Sequence, residues 1–191
     1  MGIEIHDGIE LWKTRIFDPW QVMVTGSYYG LCQGTNTSAL TADKLYGQYF
    51  PLPRGATFDR IGIDVHTGAA GKSVRLGIYK DDDLDGYPEG LVLDAGVVDV
   101  ATSGEKVINI NQHLEPGLYF LAFISDGAPT LWLTQTPAYP SPLGLGGTIA
   151  YPVLVYEKAA AGYGSLPDTF PSGAGGVNDA WAIAMRLNSL D

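Results

Sequence analysis

The sequence predicts an all-β protein, one antiparallel β-sandwich behind an N-terminal arm. Three observations carry that prediction. Apolar and polar residues alternate through Ile61, Ile63 and Val65, through Val74, Leu76 and Ile78, and through Leu118, Phe120 and Ala122. That period of two belongs to strands with one buried face. Gly and Asp cluster between the runs, at 67–71, 81–90 and 102–104, where tight connections need their backbone freedom. Finally, 25 Gly and 12 Pro in 191 residues suit a chain with many turns rather than a helical one.

Residues 1–24 form the arm and 25–191 the sandwich domain. The arm carries Trp12, Phe17 and Trp20 with few turn signals before Asp18-Pro19. It has two readings: a strand or strap added to the same core, or an interface arm that packs on another subunit through Trp12, Phe17 and Trp20. Large aromatic side chains anchor interfaces at low entropic cost. Next, Thr41 to Leu45 suggests one helical turn capped by Thr41. Tyr46, Gln48 and Phe50 suggest a strand that ends at Pro51 and Pro53.

Six strands are expected in the central run, near 58–66, 73–80, 90–99, 105–111, 117–125 and 129–136. Residues 137–178, rich in Gly, Pro and Tyr, are the least regular part, with one strand expected over 151–156. A last strand starts at Asp179, where Trp181, Ile183, Met185 and Leu187 alternate with smaller residues. The expected inward set is Ile61, Ile63, Val65, Leu76, Ile78, Leu91, Leu93, Val107, Leu118, Phe120, Leu121, Ile183 and Met185.

Composition excludes several classes of function. Hydrophobic residues make up 46% of the chain, enough for a sizeable core. The formal net charge of −10 argues against nucleic acid and against an anionic membrane surface as partners. No apolar run approaches the length of a membrane span, and MGIEIHDGIELWK lacks the basic-then-apolar order of a secretory signal. Cys32 is the single cysteine, so no internal disulfide forms.

No catalytic signature stands out, and no enzyme activity and no cofactor are expected. His6, His66 and His113 lack metal-ligand spacing. Asp81, Asp83 and Asp85 ahead of Gly86 resemble the start of a calcium loop, but Val92 stands where the bidentate Glu belongs. They are the one metal candidate, against the reading of a solvated hairpin turn. Tyr28, Tyr29, Trp132, Tyr139, Tyr151, Tyr163 and Phe170 sit in or beside loops, and aromatic faces of that kind hold sugar rings or cover the core. Loops on a rigid sandwich carry binding residues, which makes Tyr139, Tyr151 and Tyr163 the ligand-binding candidates.

The run RIGIDVHTGAAGKSVRLGIYKDDDLDGYPEGLVLDAGVVDV, followed by LEPGLYFLAFISDGAPTLW, resembles β-sandwich modules of tailed-bacteriophage virion appendages of tail-fibre and head-fibre type. Arg75 to Tyr79, Gly86-Tyr87-Pro88, Leu91 to Asp94 and Pro116 to Tyr119 carry the resemblance, which extends over roughly residues 25–187. It implies a jelly-roll-like fold and a non-enzymatic structural protein of the virion, made in the host cytoplasm. Other virion proteins, further copies of the chain in a trimer, and host-surface glycan are the implied partners. A similar pattern in surface-anchored bacterial modules keeps a second reading open, a carbohydrate-binding module of a bacterial surface or secreted protein.

Overall fold

The computed structural model describes residues 23–31, 34–83, 85–135, 155–177 and 179–191. No helix occurs among them; they form thirteen strands. In chain order these are β1 (Tyr28–Tyr29), β2 (Asn36–Ala39), β3 (Leu45–Leu52), β4 (Ala56–Thr67), β5 (Ser73–Lys80), β6 (Gly90–Asp99) and β7 (Gly104–Leu114). They continue with β8 (Gly117–Ser125), β9 (Thr130–Gln135), β10 (Val155–Lys158), β11 (Gly175–Val177), β12 (Asp179–Trp181) and β13 (Ile183–Leu190). Two antiparallel sheets pack face to face as a β-sandwich. Sheet A has the order β1-β13-β4-β9-β12, with β2 added on β9 and β7 on β4; sheet B has the order β11-β10-β3-β8-β5-β6.

The alternation in β4 and β5 decides what lies between the sheets. Ile61, Ile63 and Val65 of sheet A meet Leu76 and Ile78 of sheet B in one buried cluster, joined by Met185, Leu187, Leu121 and Phe123. Tyr46 stacks on Phe123 with ring centroids 4.8 Å apart, and Trp181 tilts against Tyr46 at 4.9 Å. A polar side chain spans this layer. Gln48, fully buried, donates from Nε2 to the Trp181 carbonyl at 3.1 Å and accepts from the Trp181 amide at 2.7 Å. The β3 side chain thereby satisfies both backbone groups of Trp181 across the sandwich, as buried polar groups require.

Sheet B is covered on its other face as well. Leu45, Tyr49, Tyr79, Phe120, Ala122 and Ile124 form a second buried cluster with Leu166 and Phe170. Residues 159–174, between β10 and β11, lie across that face as a strap. Phe170 meets Tyr79 edge-on at 5.1 Å, and its ring lies over Gly47, where a Cβ would come within 3.1 Å. Gly77 leaves room for Leu166 in the same way. The Tyr79 hydroxyl donates to the Pro167 carbonyl at 2.8 Å, and the Tyr87 hydroxyl to the Pro171 carbonyl at 2.7 Å.

This second layer corrects part of the expected inward set. Leu118 and Phe120 face the strap, whereas Tyr119, Leu121 and Phe123 face sheet A. Both alternations in β8 are apolar because both faces are covered. Leu91 likewise packs towards the strap, while Leu93 packs on the inter-sheet core. Val107 is 41% exposed: β7 points Ile108 and Ile110 inward, so Val107 takes the opposite face. The expected helical turn after Thr41 is a tight turn instead, with Asp43 at φ 60° and strand β3 starting two residues on. An Asp tolerates that left-handed conformation, and Asp43 Oδ1 holds the Tyr163 amide at 2.8 Å. The last strand is broken at Ala182 into β12, which pairs β9, and β13, which pairs β4. Of the strand expected over 151–156, residues 155 and 156 lie in β10 and 151–154 fall outside the described residues.

Burial pushes the phenols of Tyr49, Tyr79, Tyr119, Tyr156 and Tyr163 above their ordinary value, with nearby carboxylates adding to the effect at all but Tyr49. An unfolded chain ionises them near pH 10, while the native one keeps them neutral. The stabilisation is complete below that pH and is lost as pH rises through the native values. Alkaline titration is therefore expected to give tyrosinate absorbance from these residues together with loss of the far-ultraviolet β signal. Their ionisation near pH 10 with the signal intact would contradict the packing.

Candidate functional site

A trough of about 220 Å³ lies on the outer face of sheet A, lined by residues that include Tyr28, Gly62, Asp64, Glu105, Val107 and Ala184. Its origin is local. Because Ile61, Ile63 and Val65 point inward, β4 turns Gly62 and Asp64 outward, and β13 turns Ala184 outward between Ile183 and Met185. Small side chains make the floor. Val107 leans over Gly62, where a Cβ would approach its Cγ1 to 2.7 Å. Gly30 presses on the Ile183 carbonyl and the Ala184 methyl. Tyr28, 40% exposed, and Val107 supply solvent-facing apolar surface.

Charge distinguishes one end of the trough. Asp64 on β4 is the direct cross-strand partner of Glu105 on β7, and neither carboxylate has an ion pair with any described residue. Like charges directly opposite on one sheet face destabilise it. Further along β4 the charges are matched: Arg186 of β13 donates from Nε to Asp59 Oδ1 at 2.8 Å. That hydrogen bond holds the Asp59 carboxyl below its usual range and raises the guanidinium. The trough thus combines an apolar, small-residue floor with two adjacent negative charges that no described cation neutralises, a surface that suits a segment carrying both cations and apolar groups.

The acidic turn between β5 and β6 has a different use. Asp81, 1% exposed, accepts from the Gly86 amide at 2.8 Å. Glu89 Oε2 accepts from the amides of Asp82 at 2.8 Å and Asp83 at 3.1 Å. Asp85 Oδ1 accepts from the Tyr87 amide at 2.8 Å. The carboxylates that converge within 4.8 Å are those of Asp81, Asp83 and Glu89, so Glu89 replaces Asp85 in the set expected from sequence. The hairpin bond from the Glu89 amide to the Lys80 carbonyl brings it there. These oxygens anchor backbone amides of the turn, the ordinary task of turn aspartates. A second, exposed grouping joins His113 Nε2 to Glu115 Oε1 at 3.4 Å and to Asp191 Oδ2 at 3.7 Å, an ion-pair cluster once the imidazole is protonated.

Of the residues singled out from sequence, Trp12, Phe17, Trp20, Cys32, Tyr139 and Tyr151 lie outside the described residues. Tyr163 belongs to the strap; its hydroxyl is buried and its ring packs on the sheet B cluster. Phe170 is 2% exposed in that cluster. Trp132 is half-buried on β9, with His66 edge-on at 4.6 Å. Asp64, Glu105 and Val107 were missed as site residues, and only strand register could have found them. No protein-family model matches the chain, and no curated protein matches it.

Proposed function

We propose that the chain is a non-enzymatic structural protein of a bacteriophage virion, part of a head or tail appendage, and that it assembles with copies of itself, as a trimer, and with other virion proteins. The observation that carries the assembly part is the trough on sheet A, which pairs exposed Tyr28 and Val107 with Asp64 and Glu105, two carboxylates without an ion pair among the described residues. Its chemistry suits contact with a complementary surface. The virion setting rests on the sequence resemblance, whose sandwich expectation agrees with the two packed sheets. Residues 1–24 serve as the interface arm in this reading.

The competing reading, a carbohydrate-binding module of a bacterial surface or secreted protein, draws on Trp132 and His66, which lie together on β9 and β4. An indole beside polar groups is a sugar platform, and host-surface glycan is the ligand that both readings share. Mass spectrometry of purified particles separates them. The virion reading predicts peptides of this chain at a fixed copy ratio to the capsid protein. Their absence from particles, with retention of the isolated protein on immobilised bacterial glycan, would favour the binding module and overturn the virion assignment.

A further inference from the structure

We infer that the trough on sheet A receives residues 11–17 of a neighbouring copy, with Lys13 and Arg15 set against Asp64 and Glu105. This rests on the assembly reading above and names the surface that the arm contacts. Charge complementarity is the first argument. Lys13 and Arg15 are the only Lys or Arg residues before Lys44. Three of the described cations are engaged elsewhere: Lys44 with Glu157, Arg75 with Asp94 and Arg186 with Asp59. In a chain of net charge −10, an acidic pair facing outward repels most of another copy's surface and attracts this segment.

Pattern is the second argument. In an extended segment Leu11, Lys13, Arg15 and Phe17 share one side, with the cations about 7 Å apart between two apolar side chains. The trough offers an acidic pair at one end, beside the Gly62 and Ala184 floor, with Tyr28 and Val107 exposed, so the cations meet the carboxylates and one flanking apolar side chain meets the floor. Length and position agree: 22 residues precede Met23, which is 7% exposed and packed in the inter-sheet cluster. The chain therefore has a fixed point of departure and ample reach, at about 3.3 Å per residue, to a neighbour's sheet A. Arm and trough are different surfaces, so the contact is compatible with a closed ring of copies, of which the proposed trimer is one.

Light scattering on the full chain tests this through charge exchange. The pair D64K/E105K, and separately K13E/R15E, should each weaken self-association by at least about tenfold; combining all four should restore it. Self-association of D64K/E105K at wild-type strength would overturn the proposal. If deletion of residues 1–22 dissociates the oligomer while D64K/E105K does not, only this surface fails and the assembly reading stands. A full chain that is monomeric at every concentration sinks both. Should D64K/E105K not fold, the pair R15C/D64C in a C32S background decides. Disulfide-linked multimers support the neighbour's segment; a purely intramolecular link, or none, overturns it.

Discussion

Replacing Phe170 with alanine is expected to lower the unfolding free energy by about 3–5 kcal/mol, read as a shift of the urea midpoint. The ring is the central anchor of the strap. It sits edge-on to Tyr79 and Tyr87 and over the bare backbone of Gly47, a site that cannot collapse because β3 and β8 hold their spacing beneath it. Around the ring the strap is tied by its own backbone: the Phe170 amide donates to the Glu89 carbonyl at 2.8 Å, and the Leu91 amide to the Asp168 carbonyl at 2.9 Å. Truncation leaves those bonds without the apolar burial that shields them, so amide protons of residues 163–174 should also exchange faster. A loss below about 1 kcal/mol, the scale of a surface substitution, would mean that the strap does not seal sheet B.

Gln48→Leu is expected to cost about 3 kcal/mol, although it exchanges a polar for an apolar side chain in the core. The amide satisfies both the N–H and the C=O of Trp181, and each group left unpaired in that layer costs about 1–3 kcal/mol. Trp181 also packs against Tyr46 and Phe123, so a shift of its backbone disturbs the aromatic cluster. Chemical denaturation checks the size, and near-ultraviolet circular dichroism should report a changed tryptophan environment. Stability equal to or above wild type would show that water or another side chain takes over both bonds.

How far the sequence was legible follows from which contacts fix each element. Strands β4 to β9 were visible because their side chains alternate or because Gly and Asp punctuate them. The short strands β1, β2 and β11 have no periodicity of their own and exist through pairing with β13, β9 and β10. The strap was hidden for another reason. Its anchors, Leu166 and Phe170, stand among Gly, Pro and Ser in a stretch that reads as a loop, and the face they cover looked like the inner side of β8. Tyr163, in the same stretch, reads as a contact residue for the same reason. In the trough, Tyr28 is legible from sequence as an aromatic beside loops. The juxtaposition of Asp64 with Glu105 depends on the register of β4 against β7, which includes a bulge between Phe58 and Arg60 that no composition rule places.

Electron cryo-microscopy of intact particles tests the central claim, that this sandwich is a virion component assembled through sheet A, most directly. The account predicts density for the two packed sheets in a head or tail appendage, with the outer face of sheet A against a neighbouring copy and an extended segment over Gly62, Asp64 and Glu105. Particles with no such density, or with that face open to solvent in every copy, would contradict it.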